Sequence, residues 1–455
     1  MRRGKLTRRE FLRLSAVAGT GALLGACAKA PPPAEEPAKV ETEEKVEPTP
    51  APPEKKHLVT WGIGAGNEEF QRQLVQEYSD AHPDVEVEYD PALAGLEWMT
   101  EGMQKLRIAL ENRAGPDFIG GIDAGSALAA VVSSGEVLDL TPAYDQYGWK
   151  QDIPEVFVER VTIDGKMYAV PINVETVGLF YNMDMFEELG LAVPTTFDEY
   201  LELLQEIKDA GYYGYAIGLA GGWPAAFMAS AFCYGSAGSE YRAVLSGEKP
   251  WTDCSRCLDG LNAYYHIVEA GYTNPDVLGI DQTQANDLFF QGKTAMTLSG
   301  PWTINDIKDA EPDFEVGFFY MPPVDPNTDI RTFGGEGGTM IASKHSAHPE
   351  AVLEFMNWFF SPETAVKVLK GASAIMPIPF SVPDDVDPLL GRVTEETLAN
   401  IDKVGFWPVT YLAPDVFQQM NQFVQGMMGA ELTPAQALEE MQNAHETYMR
   451  EKGSD

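Results

Sequence analysis

Residues 57–61, His57-Leu-Val-Thr-Trp61, form a short apolar run closed by Gly62, Gly64 and Gly66, and the chain on either side decides how that run is used. Residues 67–81 read as a helix ending before Pro83, and Val85-Glu-Val-Glu-Tyr89 alternates as a half-buried strand does. Over 98–113, Met99, Met103, Leu106 and Leu110 fall at helical spacing, and Gly115-Pro-Asp-Phe-Ile119 opens another strand. Strand, helix, strand, helix, strand is the order of a parallel α/β sheet, because parallel neighbours need a crossover. The order returns downstream. Lys166-Met-Tyr-Ala-Val-Pro171 and Val177-Gly-Leu-Phe-Tyr181 read as strands, and a helix follows with Thr196 and Glu199 as a capping box. A helix over 256–270 ends at Gly271, and another around 284–291 leads through Gln291-Gly-Lys293 into the strand Thr294-Ala-Met-Thr-Leu298. Later helices open at Pro349, at Pro362 behind Ser361, and at Pro434 behind Thr433. Two α/β lobes fit this pattern, with the chain crossing between them more than once.

Composition narrows the function. The chain has 455 residues, 44% hydrophobic and 22% charged, which is ordinary for globular protein. Lys and Arg number 32 against 69 Asp and Glu, a net charge of −37. Such a surface repels phosphate backbones, so nucleic acid is excluded as a partner. No apolar stretch has the length of a transmembrane helix, and four cysteines are too few for a disulfide-built scaffold. Gly62-Ile-Gly-Ala-Gly-Asn67 falls short of a dinucleotide fingerprint because Asn67 holds the third glycine position. Asp325-Pro-Asn327-Thr-Asp329 lacks the glycine and closing glutamate of a calcium loop, and reads as a hairpin loop. His345 and His348 have no third ligand, so neither metal nor cofactor is expected. Cys254-Ser-Arg-Cys257 has redox-motif spacing without thioredoxin-like surroundings; a local disulfide, or one with Cys233, is the expectation.

The first 27 residues read as an address. Thr7-Arg8-Arg9-Glu10-Phe11-Leu12-Arg13 precedes an apolar stretch from Leu14 to Ala26, as in an export signal. The paired arginines resemble a twin-arginine signal. Leu24-Gly25-Ala26-Cys27 resembles a bacterial lipobox, which implies a signal peptide over 1–26 and lipidation of Cys27. Residues 28–56 carry eight Pro, seven Glu and no aromatic residue, so 27–56 reads as a disordered tether. The expected location is the outer face of a cell membrane, extracellular or periplasmic, held by lipid.

Several segments are familiar as an ordered set: Gly115-Pro-Asp117 before a strand, Asp164-Gly-Lys-Met-Tyr-Ala-Val-Pro171, Phe180-Tyr-Asn182, and Phe290-Gln-Gly-Lys-Thr-Ala-Met-Thr-Leu-Ser-Gly-Pro-Trp302. Together they resemble the family 1 extracellular solute-binding proteins of ABC sugar importers, including the maltodextrin-binding protein, from about residue 58 to 450. The resemblance implies a two-lobed, type II periplasmic-binding-protein fold. Each lobe would be a mainly parallel sheet flanked by helices, joined by a hinge of several crossing segments. Lobe 1 would hold 58–172 and 334–380, and lobe 2 173–333 and 381–450. The implied partners are a small carbohydrate and the transmembrane subunits of an ABC permease, with the receptor a monomer.

A sugar presents an apolar CH face and a rim of hydroxyls, so its site needs aromatic plates and polar acceptors. Trp302 follows Gly300-Pro301 at the end of a buried strand, where open α/β sheets present ligands, and it matches the family's sugar-stacking tryptophan. Glu175 follows the first crossing and matches a cleft glutamate of the maltodextrin-binding relatives. Trp223 lies between Gly222 and Pro224 and aligns with an aromatic contact; Trp61 ends the first strand on the cleft side. Asp123 follows the strand beginning at Asp117 and is either a hydroxyl acceptor or a helix N-cap. In Gly334-Gly335-Glu336-Gly337-Gly338 the glycines either let the backbone approach a ligand closely or make a tight turn, and Glu336 is a candidate to point into the cleft. Trp407, Tyr411 and Phe417 resemble the family's C-terminal aromatic wall. Where the maltodextrin binder has a tryptophan and charged residues, this chain has Gly120, Gly121 and Ile122, and Ala65 with its neighbouring glycines replaces a polar group, so another mono- or oligosaccharide fits better than maltose. Catalysis is not expected. The rivals are a glycoside hydrolase using Glu175 and Asp123 as an acid pair, and a binder of glycerol phosphate, which would need clustered Arg or Lys in the cleft.

Overall fold

The computed structural model describes residues 55–96, 101–221, 223–330 and 332–452. The export signal, Cys27 and the tether up to residue 54 lie outside the described residues. Among the described residues no helix is long and apolar enough to cross a membrane.

One nine-stranded sheet runs through the molecule. Its strands are β1 (Lys56–Ile63), β2 (Val85–Tyr89), β3 (Phe118–Ile122), β4 (Val170–Asn182), β5 (Tyr213–Ala216), β6 (Thr294–Ser299), β7 (Val316–Phe319), β8 (Thr332–Ala342) and β9 (Val404–Phe406). The order along the sheet is β2-β1-β3-β8-β4-β6-β5, with β9 added to β8 and β7 to β4. The strand–helix–strand order of the sequence gives parallel pairs β1–β2, β1–β3 and β5–β6, and β9 also runs parallel to β8. The long strands β4 and β8 run antiparallel to each other and to their other main neighbours.

These two strands join two hydrophobic cores by changing partners midway. Residues 170–177 of β4 pair with β8, whereas 178–182 pair with β6 and β7. The first core gathers Leu58, Tyr78, Phe118, Phe355 and Val368. The second gathers Tyr200, Tyr215, Phe232, Tyr264 and Met420. At the midpoint of β4, Thr176 Oγ1 lies 2.8 Å from the Tyr320 hydroxyl and 2.9 Å from Thr397 Oγ1, and those two are 2.9 Å apart. This closed hydroxyl triangle satisfies three polar groups at once and fixes β4 beside Glu175.

The sequence pattern suggests two strands over 166–171 and 177–181, but the chain makes a single 13-residue strand from Val170. Lys166–Met167 belongs to a small hairpin with Thr162–Ile163 instead. Asn173 and Glu175 interrupt the apolar pattern, yet their backbone pairs with the glycine-rich stretch of β8. Tertiary pairing overrides local propensity here. At the other end β1 begins at Lys56, inside the segment read as tether.

The capping box at Thr196 and Glu199 is formed. Asn67 caps the helix Glu68–Ala81, its Oδ1 accepting from Phe70 N at 3.0 Å. The helix read over 256–270 spans Ser255–Glu269. It packs closely on helix Pro224–Ala237, for a Cβ on Gly260 would lie 2.8 Å from Cys233 Cα. Cys254 and Cys257 form the local disulfide, and Cys233 is left buried as a free thiol. A bridge closing so short a loop removes little chain entropy. The Cys254→Ser/Cys257→Ser variant is therefore expected to lose only about 2 kcal/mol in urea unfolding.

Candidate functional site

The crossing strands bring their polar residues to one place because both are irregular there. Gly335 of β8 pairs with Glu175 of β4, and Glu336 with Val174, but Gly338 already faces Asn173. Gly337 is thus an extra residue in β8, a bulge that turns the strand and re-aims its side chains. A Cβ there would lie 2.4 Å from Glu175 Oε1 and 2.4 Å from Asn173 Nδ2, so a side chain at 337 would push both polar ends from their places. A second bulge at Gly121, where β3 meets β8 between Ile122 and Gly120, brings the chain to Asp123.

Around these strands lies a cavity of about 280 Å³, lined by Asp123, Glu175, Trp223, Phe227, Trp302, Glu336, Gly337, Trp407, Val409 and Thr410. Asp123 arrives from the strand of the first core, and Trp223 and Phe227 from the start of the helix Pro224–Ala237 in the second. The aromatic side forms a continuous wall. Phe227 stacks on Trp407 with centroids 4.7 Å apart and planes at 13°, while Trp223 meets Phe227 edge-on at 5.1 Å. Trp302 stands 6.4 Å from Trp407, and Phe333 supports Trp407 from behind at 4.8 Å. Seven large apolar side chains are exposed among the described residues, and the two tryptophans among them, Trp223 at 40% and Trp302 at 37%, both line this cavity. Apolar rings left open to water inside a concavity are a mark of a contact surface rather than of core packing.

The polar side consists of carboxyl groups. Glu336 is 3% exposed and its Oε2 has no hydrogen-bond partner. Burial raises its carboxyl from the ordinary 4.5 to about 7, against a pull downward from Arg160. Glu175 accepts from Asn173 Nδ2 at 3.1 Å, and its carboxyl also rises to about 7, through burial and the nearby charge of Asp123. Asp123 rises to about 6 through burial. Among the described residues no set of three such side chains converges tightly enough to hold a metal ion. The three carboxyls surround the cavity rather than meeting at a point.

Of the residues singled out in the sequence, the structure thus brings together Trp302, Glu175, Trp223, Asp123, Glu336 and Trp407. Gly300 and Gly335 lie under the rings: a Cβ on the first would sit 2.1 Å from Trp302 Cζ3, and on the second 2.7 Å from Trp407 Cδ1. Phe417 stands behind the wall, 5.8 Å from Phe227, and Tyr411 stacks on Arg160 at 4.2 Å. Trp61 is not brought to the cavity. It is partly buried against the first core, with Lys105 Nζ 5.6 Å above its ring. The N-cap alternative for Asp123 also fails, because the following helix is Ser126–Val132 with Gly125 as its cap. Phe227, Val409 and Thr410 were not anticipated; the one available signal was Phe227 standing one helical turn after Trp223.

A family model, described as bacterial extracellular solute-binding protein, matches residues 64–366. The chain belongs to that family. This solute-binding protein is 25% identical over 259 residues to the multiple sugar-binding protein of Streptococcus mutans serotype c, an alignment covering 51% of this chain and 62% of that one. It is 25% identical over 335 residues to the maltotriose-binding protein of Pyrococcus abyssi, covering 72% of this chain and 68% of that one. Among solved structures, the fold is similar to a chitin oligosaccharide binding protein, with a TM-score of 0.70 and 23% identity over 86% of this chain and 98% of that one. The solute-binding fold is therefore shared at low sequence identity.

Proposed function

We propose that this solute-binding protein captures a mono- or oligosaccharide in the cavity at the crossing strands and delivers it to the permease of an ABC importer, without catalysis. The observation that carries the reading is the pairing of an exposed aromatic wall, built on the second core, with carboxyl groups from the first core and the crossing strands. Ring faces cover the CH surface of a pyranose, and carboxyl oxygens take its hydroxyls. The sugar-binding names of the relatives support the same class. Among the described residues no Lys or Arg lines the cavity, which argues against glycerol phosphate or another anion. Two lobes, 58–172 with 334–380 and 173–333 with 381–450, would close on the ligand because it contacts both, and closure is favoured only to the extent of that differential affinity. The Cys254–Cys257 disulfide supports an oxidising, exported setting. The leader motifs support anchoring through lipid on Cys27 at the outer membrane face, and the receptor acts as a monomer.

A thermal-shift screen of the purified protein against mono- and oligosaccharides tests this. A bound sugar at 100 times its Kd stabilises the native state by about 2.7 kcal/mol, so a clear rise in the unfolding midpoint is expected for at least one sugar. No shift with any saccharide, or sustained release of hydrolysis products, would overturn the reading.

A further inference from the structure

The aromatic wall stands on a helix that begins without a cap of its own. In helix Pro224–Ala237 the N-cap position is held by Trp223, whose side chain has no oxygen to offer the first-turn N–H groups. The first turn holds no acidic residue either, and Pro224 fills its first position. A start built this way leaves first-turn donors without a local acceptor. Yet the two rings it carries, Trp223 and Phe227, meet at 5.1 Å, and Phe227 lies flat on Trp407 at 4.7 Å.

The missing acceptor comes from helix Pro414–Met428, 195 residues further along the chain. Asn421, 2% exposed, accepts from Ala226 N at 2.9 Å through Oδ1 and donates to Phe417 O at 3.1 Å through Nδ2. Its neighbours on that buried helix face are Phe417, Met420 and Val424. An amide among apolar side chains is tolerated where its hydrogen bonds offset its desolvation. One turn on, Gln425 Nε2 donates to Leu219 O at 2.6 Å. The stretch 219–226, which carries Trp223, is thus held at both ends by amides of one helix. A cap supplied from outside replaces a local Ser, Thr, Asp or Asn, and leaves position 223 open to a ring that faces the cavity.

We propose that Asn421, seconded by Gln425, is a positioning residue of this site: it caps the helix from outside and so fixes Trp223 and Phe227 against Trp407. The proposal rests on the saccharide-receptor reading, and neither amide lines the cavity itself. With the cap removed the first turn opens and closes, and apparent affinity falls in proportion to the time the wall is formed.

Amide hydrogen exchange and isothermal titration test it together, the probes being maltotriose, N,N′-diacetylchitobiose and any sugar selected by the thermal screen. In Asn421→Leu, exchange over residues 224–228 should quicken. The Kd of a probe that binds the wild type should rise about five- to tenfold, the fold-change that a typical N-cap represents. Asn421→Asp keeps an acceptor at a helix start that favours negative charge, so both readouts should return to within about twofold of wild type. Val368→Ala, a truncation of a fully buried side chain in the first core, should lower the unfolding midpoint and move neither readout. Should Asn421→Leu fail to fold, Gln425→Met, at a half-buried position, should show the same two changes at smaller size. Unchanged exchange and affinity in the folded variant, or equal loss of affinity in Asn421→Leu and Asn421→Asp, would overturn the proposal and leave the receptor reading standing. Wild-type protein that binds no sugar at all overturns both.

Discussion

Glu336→Gln should stabilise the ligand-free protein at pH 8 and leave its stability at pH 4 unchanged. The reason is linkage between burial and protonation. Glu336 is 3% exposed and its carboxyl is raised from 4.5 to about 7 in the folded chain, mainly by burial. A group whose folded pKa lies above its unfolded one favours folding in its protonated form. Its contribution is complete below about pH 4.5 and is lost as the pH climbs through 7. The span amounts to something on the order of 3 kcal/mol. Glutamine mimics the protonated side chain at every pH, so the variant escapes the loss. Urea unfolding of both proteins at pH 4, 6 and 8 should show the curves separating as the pH rises. Equal stability at pH 8, or a less stable variant there, would mean that Arg160, Thr410 and the local backbone compensate the Glu336 charge in full and that burial does not dominate.

Trp302→Ala is expected to weaken saccharide binding by about ten- to a hundredfold while leaving the fold intact. At 37% exposed, the ring gives little to the core. Covering roughly 60–120 Å² of apolar surface between ring and sugar is worth about 1.5–3 kcal/mol, which is that range in Kd. The change should appear in titrations with whichever sugar binds the wild type, with an unfolding midpoint close to wild type in the absence of ligand. Unchanged affinity would remove Trp302 from the contact surface.

The legibility of this chain divides along physical lines. Elements announced by local chemistry were readable: the capping box at Thr196, the Ser361 cap, and the strand running into Gly300-Pro301-Trp302. Trp302 and Trp223 were visible from their places beside glycine and proline together with the family resemblance, and Trp407 from the resemblance alone. Glu175 was named through the family resemblance and Glu336 by its place in the glycine stretch 334–338, while the buried strands that hold both show only in the structure. The unity of β4 was hidden, since it depends on a partner more than 150 residues away in sequence. Phe227 was hidden for the opposite reason: in a helix with all but two of its 14 residues buried, nothing local marks one aromatic as facing a cavity. Trp61 misled because the end of a strand has two sides, and only the packed structure shows that Lys105 covers this ring.

The partner exchange of β4 and β8 has a bearing on how this gene can be divided. Any single break between codons 183 and 331 would give each fragment one of the two connecting strands and deprive it of the other, so neither piece could complete the sheet alone. Halves of this protein would be expected to meet only by complementation. A reporter domain spliced in is better carried in a surface turn such as the Asp325–Asn327 loop, which leaves both shared strands whole.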